Sequence, residues 1–257
     1  MMHHDHRIRI LWIITLAALI AVFNFAPIPQ DPAYHRFADQ RLIAGLPNFW
    51  NVISNIPFLI IGFIGMRQVF IRQTTGALAD LRWMYFTFFV GVLLTGIGSS
   101  YYHLNPDNRT LVWDRLPMTI GFMALFSAIV GEYISIRAAR TLFAPLLIIG
   151  LASVLYWHIT ELNGSGDLRP YALVQFLPMI LIPMILWLFK SDMQGDAFYW
   201  GMVAAYALSK AAEYFDAGLY DLVGAVSGHT LKHLISAVAP YIFYRALRQR
   251  EQAIRAV

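Results

Sequence analysis

Residues Trp83–His103 read WMYFTFFVGVLLTGIGSSYYH, and no Asp, Glu, Lys or Arg interrupts them. A run of this length and apolarity matches the roughly 20 residues that a helix needs to cross the hydrocarbon core of a bilayer. Lipid offers the backbone no hydrogen-bond partners, so such a run spans as a helix, whereas a barrel strand needs only about ten alternating residues. This stretch therefore predicts an all-α integral membrane protein.

The rest of the chain repeats the same pattern. Of its 257 residues, 58% are hydrophobic and 13% are charged, whereas soluble domains carry about 25% charged residues. The connections between apolar segments are short and leave no room for a separate soluble domain. We predict eight spans: Ile8–Phe25, Phe49–Phe70, Trp83–His103, Leu116–Ile134, Thr141–His158, Tyr171–Phe189, Phe198–Phe215 and Ser227–Tyr244.

These spans divide the chain into four parts. Residues 1–28 form an N-terminal transmembrane anchor, 29–48 a proline-rich outside loop, 49–250 a seven-helix membrane domain, and 251–257 a cytoplasmic tail. The first span could instead be a signal peptide with Arg7 and Arg9 as its basic region. Its nearly full spanning length and poor cleavage site favour a retained anchor.

The basic residues indicate orientation. A net charge of +4 could suggest nucleic-acid binding. With a cytoplasmic N-terminus and eight crossings, however, twelve Arg and Lys fall on the cytoplasmic side and five on the outer side. This is the positive-inside bias of a cytoplasmic-membrane protein. We therefore expect no nucleic-acid partner, cytoplasmic termini, and a bacterial inner membrane with loop 29–48 in the periplasm.

Three histidines fall at one predicted membrane edge. His103 ends the third span, and His229 and His233 open the last one. Residues at i and i+4 share one side of a helix, so the last two can bind one ion. The chain has no cysteine, which excludes disulfides and thiolate sites. Three protein ligands with one open position are typical of catalytic zinc, although imidazoles also accept iron, nickel or copper.

Two further polar residues are predicted at the same depth. Asp114 is expected to be the N-cap of the fourth span, where its carboxylate could serve as general base and then general acid. Ser99 lies one turn below His103 and could bond a water or an oxyanion. Taken singly, each histidine is typical of a membrane interface, Asp114 of a helix cap and Ser99 of helix packing.

Four motifs together resemble the alkaline ceramidase family, within a superfamily that includes adiponectin-type receptors and hemolysin III proteins. They are Asn48-Phe-Trp-Asn-Val-Ile-Ser-Asn55, Gly98-Ser-Ser-Tyr-Tyr-His103, Asp114-Arg-Leu-Pro-Met118 and His229-Thr-Leu-Lys-His233. The resemblance implies a seven-helix core plus one extra N-terminal helix, and a zinc-dependent amidase acting on ceramide-like lipids. It implies that His103, His229 and His233 hold zinc, and that Ser99 and Asp114 hold and activate the water.

The resemblance is incomplete in one place. Animal members bind calcium through an acidic segment that ends in Glu just before Phe-Trp-Asn. Here Asn48 occupies that position, and Asp31 and Asp39 lie nearby without a matching pattern. Calcium binding is therefore not expected. The short, cysteine-free chain is typical of a bacterial protein, and since many bacteria lack ceramide, the exact lipid stays open.

Two other functions use the same residues. A seven-helix receptor or regulatory protein could carry the three histidines as a structural zinc site without cleaving any lipid. A metal or ion transporter needs acidic and histidine residues through the full membrane depth. Here they cluster at one edge, with only Lys210, Glu213 and Lys232 deeper, which counts against transport. Lys210 and Glu213 are expected to form a buried structural pair. The oligomeric state is not predicted.

Overall fold

The computed structural model describes residues 3–71, 77–191 and 195–255. The long secondary-structure elements in these ranges are helices. A short 3₁₀ turn at Pro32–His35 lies in the loop after the first helix. The helices of the described residues are α1 His4–Asn24, α2 Phe49–Ile53, α3 Ile56–Ile71, α4 Ala77–Asp80, α5 Arg82–Leu104, α6 Asn108–Tyr133, α7 Ile136–Leu162, α8 Arg169–Leu188, α9 Asp196–Tyr214, α10 Asp216–Val223 and α11 Gly228–Arg255. The last two residues of the predicted tail lie outside the described ranges.

Six stretches of the described chain are long and apolar enough to cross a membrane: α1, Phe49–Phe70, α5, α6, α7 and α8. They indicate an integral membrane protein. The predicted seventh and eighth spans correspond to α9 and α11, which are long helices with more polar residues. The total of eight crossings therefore stays a prediction. The polar side chains of α9 and α11 include Lys210 and Lys232, and each of them pairs with Glu213.

The bundle is organised around α5, which packs on α3 and α6, while α6 packs in turn on α7. Helices α9 and α11 form another closely packed pair, and α11 also contacts α3. Helix α1 has no buried residue and packs mainly on α8. It therefore lies at the periphery of the described helices, and its addition to a seven-helix core stays a prediction.

Helix α6 begins earlier than predicted, which corrects the expected role of Asp114. Its N-cap is Asp107, whose carboxylate accepts hydrogen bonds from the backbone N–H groups of Arg109 and Thr110 in a capping box. Asp114 lies seven residues later, inside the helix. The prediction of Asp114 as N-cap was wrong because Pro117 favours the first turn of a helix; here it lies within α6. Asp114 therefore does not cap the helix.

Proline inside α6 also explains how closely α5 approaches. Pro117 has no N–H for the carbonyl of Trp113 four residues earlier, and that carbonyl faces Gly98 of α5. A Cβ added at Gly98 would lie 1.9 Å from the Trp113 oxygen. Only glycine allows this contact, which brings the backbone beside Ser99 against the backbone beside Asp114.

A Gly98→Ala substitution should therefore destabilise the protein. Because the clash is with backbone rather than a flexible side chain, we expect a loss of about 1–3 kcal/mol, typical of an overpacked core. Thermal unfolding in detergent measures it. Gly121→Ala in α6 is the matched control, since its added Cβ meets nothing within 4 Å. A Gly98→Ala protein as stable as Gly121→Ala would contradict the close-approach argument.

A buried ion pair lies near the opposite end of the bundle. Glu132 of α6 accepts from Arg250 of α11 at 2.8 Å, and their side chains are 0% and 6% exposed. The hydroxyl of Tyr85 also donates to Glu132. The expectation that only Lys210, Glu213 and Lys232 lie deeper than the histidine edge was wrong, because Glu132 sits inside a predicted span. A carboxylate this deeply buried requires such a cationic partner.

Candidate metal centre and adjoining cavity

The structure brings His103, His229 and His233 together where α5 ends and α11 begins. Their candidate ligand nitrogens all lie within 4.8 Å of one another, and all three side chains are buried. The Nε2 atoms of His103 and His229 are 3.3 Å apart. Three imidazoles that converge in this way could hold a metal ion.

The spacing of these nitrogens fits a tetrahedral metal site. With Zn–N bonds of about 2.0–2.1 Å, two ligands of a tetrahedral zinc ion lie about 3.3 Å apart. The Nε2 atoms of His103 and His229 have this separation. A neutral ligand set made only of imidazole nitrogen suits zinc as well as other divalent transition metals.

The histidines are held in place by polar residues of other segments. Ser54, between α2 and α3, forms a 2.8 Å hydrogen bond with Nδ1 of His233, which leaves Nε2 of that ring to face the cluster. Asp216 at the start of α10 accepts from the backbone N–H of His229 at 2.6 Å. Such outer partners fix the orientation of ligand rings and are typical of metal sites.

The start of α2 connects both histidine-bearing helices. Asn48 has a φ of 47°, a left-handed conformation that asparagine tolerates, and its side chain donates to the backbone oxygen of His103 at 2.9 Å. Asn51 accepts from the hydroxyl of Thr230 in α11 at 2.8 Å. The Asn48–Asn55 motif therefore connects α5 to α11.

The predicted outside loop covers the cluster. The ring of Phe37 lies 4.6 Å, centroid to centroid, from both His103 and His229. Phe37 is itself buried. Nearby, Arg41 donates two side-chain hydrogen bonds to Asp39, and these bonds lower the pKa of the Asp39 carboxyl. The two loop acids considered for calcium thus have protein partners: Arg41 for Asp39, and the backbone N–H of Ala33 for Asp31.

An apolar cavity of about 150 Å³ opens beside the cluster. Ser99, Asp114 and His233 line one end, and Ile129 and Tyr199 line the other. Asp114 and Ile129 are fifteen residues apart on α6, a distance of about 22 Å along a helix. The walls between them are almost entirely apolar, which suits an extended hydrocarbon chain.

Ser99 and Asp114 are the polar pair of this cavity. Both are buried, at 3% and 7% exposure, and both side chains line this cavity. The close contact between Gly98 of α5 and the Trp113 carbonyl of α6 positions this pair. It brings Ser99 and Asp114, the next residue on each helix, side by side. The cavity thus offers a carboxylate and a hydroxyl beside one histidine of the cluster.

The family model for ceramidases matches residues 40–215. The chain belongs to the ceramidase family. The match confirms the resemblance to alkaline ceramidases and covers α2 to α9, with Ser99, His103 and Asp114. Membership implies an amide hydrolase that acts on a lipid in the membrane. None of the curated proteins compared with the chain matches it significantly.

The ceramidase match ends before the helix that carries the other two histidines. His229 and His233 lie on α11, beyond residue 215. Their meeting with His103 therefore rests on the tertiary structure and on the His229-Thr-Leu-Lys-His233 pattern. Among the described residues, this three-histidine group could bind a metal ion.

Sequence reasoning missed several supporting residues. Ser54 and Asn51 belong to a motif that carried the resemblance but had no assigned role. Asp216 stands at the start of a short helix twelve residues before Gly228, and its spacing alone does not indicate a contact with His229. Lys210 and Glu213 do pair, at 2.6 Å, as expected. Glu213 also accepts from Lys232 at 2.5 Å, which the sequence did not predict.

Proposed function

We propose that this ceramidase-family protein is a zinc-dependent membrane amidase that cleaves the N-acyl bond of ceramide-like lipids. The products are a fatty acid and a sphingoid-type amine. The observation that carries the proposal is a buried three-histidine cluster at the polar end of a long apolar cavity that also holds Asp114 and Ser99. A lipid amide at that end has its acyl chain in the apolar part.

His103, His229 and His233 are the proposed zinc ligands. Zinc held by them would supply Lewis-acid activation of water and polarisation of the amide carbonyl. Burial of the cluster favours this chemistry, because charge stabilisation is stronger where bulk water is excluded. Phe37 contributes by covering the rings of His103 and His229.

Asp114 is the proposed proton carrier. Its carboxylate accepts a proton as water attacks the carbonyl carbon, and it returns that proton to the departing nitrogen as the C–N bond breaks. Ser99 lines the cavity beside Asp114, and its hydroxyl can donate to the developing oxyanion. One water molecule is consumed for each amide bond that is cleaved.

The proposed location of the site is supported by the charge distribution. With twelve basic residues inside and five outside, the end of α5 and the start of α11 face the periplasm of a bacterial inner membrane. Lipid would then enter sideways from the outer leaflet. We place the entry between α8 and α9, which pack less closely than α9 and α11 do.

The test is metal analysis of the purified protein together with fatty-acid release from a panel of N-acyl lipids. We expect about one zinc per chain, and release that stops with a chelator and returns with Zn²⁺. Release that persists in fully metal-depleted protein would contradict metal dependence. Stoichiometric metal with no release from any N-acyl lipid would instead favour a receptor or regulatory protein with a structural zinc site.

A further inference from the structure

A second, more polar cavity of about 200 Å³ adjoins the apolar one. The two cavities share Asp114, Met118 and Lys232 in their linings. The second cavity continues between α6, α8 and α9, where Arg115, Gln175 and Lys210 line it. A molecule bound with its amide beside Asp114 therefore has room for a chain on one side and for a headgroup on the other.

Arg115 is the unusual residue of this second cavity. It is 5% exposed, and its guanidinium lies 4.3 Å from the ring centroid of Trp157 and 4.7 Å from that of Tyr171. Its Nη2 donates to the side-chain oxygen of Gln30 at 2.6 Å. Its Nη1 is buried and has no hydrogen-bond partner among the described residues. The flat faces of the cation are thus held by aromatic rings, while one edge keeps an unused donor.

No carboxylate of the described residues forms an ion pair with Arg115, and the neighbouring charges do not supply one. Glu213 is already shared by Lys210 and Lys232, at 2.6 and 2.5 Å. Asp114 is the acid that lines the cavity, and the proposed reaction already uses its carboxylate. Glu161 accepts from the backbone N–H of Gln30 and from Nε1 of Trp157, two neighbours of Arg115, but it forms no ion pair with Arg115 itself. A buried charge without a counterion is costly, and an anionic ligand at Nη1 would relieve that cost.

We infer that this cavity is a subsite for an oxyanion of the substrate headgroup, so that the preferred substrate is an N-acyl lipid bearing a phosphate near its amide. This inference rests on the proposed function, because the amide must lie beside Asp114. Nη1 of Arg115 and the ammonium groups of Lys210 and Lys232 supply the donors. The apolar cavity takes the acyl chain, and the phosphate lies across the junction from it.

The same oxyanion chemistry could come from the carboxylate of the released fatty acid. That carboxylate forms at the reacting carbon beside Asp114, with its chain still in the apolar cavity. It therefore lies at the junction rather than deep in the second cavity. A headgroup phosphate, attached on the amine side of the amide, extends into the second cavity.

The experiment compares an N-acyl sphingoid base with its 1-phosphate ester, which differ only in the oxyanion. We expect the wild-type protein to show a kcat/KM for the phosphate lipid roughly 10- to 100-fold higher, as expected of charge-assisted hydrogen bonds in a buried site. Arg115→Gln should bring that ratio close to one. Lys210→Gln, at a partly exposed position, should lower it, and it tests the subsite if Arg115→Gln does not fold. Lys190→Gln, an exposed lysine away from the cavity, should leave the ratio unchanged.

A binding measurement separates this inference from the proposed function. Metal-depleted wild-type protein should bind the phosphate lipid more tightly than the hydroxyl lipid, and Arg115→Gln should lose that difference. If neither lipid is cleaved but the binding difference is present, the subsite stands and the amidase proposal fails. Equal binding and equal kcat/KM for the two lipids in the wild type would overturn the subsite. The subsite would also be overturned if the only effect of Arg115→Gln were weaker inhibition by added fatty acid. That result would assign the oxyanion to the product.

Discussion

A His233→Ala protein should contain no stoichiometric metal and release no fatty acid from any N-acyl lipid. His233 is the one histidine of the cluster that also lines the apolar cavity, so its removal takes away both a ligand and a wall of the site. Two remaining imidazoles leave a divalent ion with too few protein ligands. Metal content and product release, measured on protein with the elution profile of the wild type, check the prediction.

Two variants bracket the His233→Ala result. Ser54→Ala removes the hydrogen bond to Nδ1 of His233 but keeps the ligand, and it should weaken metal affinity by about 10- to 100-fold. His158→Ala removes a histidine of α7 that is not part of the cluster, and it should keep metal and turnover. Wild-type turnover in His233→Ala would refute the metal assignment and leave a helical bundle without a proposed chemistry.

An Asp114→Asn protein should keep its metal but lose most turnover. Asparagine has nearly the same shape as aspartate, yet it cannot accept and return a proton. Loss of general acid–base catalysis typically costs about 10²- to 10⁴-fold in rate. We therefore expect kcat to fall by that range while metal content and lipid binding stay near wild type. Steady-state kinetics with metal analysis on the same preparation measure both.

Asp107→Asn is the matched control for Asp114→Asn on the same helix. Asp107 caps α6, and asparagine is an equally favoured cap, so both stability and turnover should stay close to wild type. If Asp114→Asn kept the wild-type kcat, the proton-carrier role would be wrong, even with the metal site intact. If both variants lost turnover equally, a structural role of the helix start would explain the loss instead.

Helical class and membrane environment were predictable from the sequence, because they depend on local composition. Each of the six apolar stretches satisfies its own backbone hydrogen bonds as a helix, wherever its neighbours lie. The i,i+4 pair of His229 and His233 was predictable for the same reason, since helix geometry places those two rings on one side. The position of His103 at the same membrane edge was predicted by counting the membrane-spanning segments.

Other features depended on contacts between distant segments. The sequence indicated Asp114 as a helix cap, but α6 begins at Asp107 and carries Pro117 inside it, where the freed Trp113 carbonyl meets Gly98. The ion pair of Glu132 with Arg250 joins residues 118 positions apart. No local pattern indicates either contact, because each depends on how two helices pack.

The sequence by itself determined an all-helical membrane chain, the family, and the histidines that can meet at one edge. Tertiary structure alone decided that Ser54 and Asp216 hold the histidine-bearing helix, that Ser99 and Asp114 share a cavity, and that Arg115 is buried with an unused donor. The physical reason is the range of the forces. Hydrophobicity and helix period act within one segment, whereas hydrogen bonds and charge compensation depend on which segments are brought into contact.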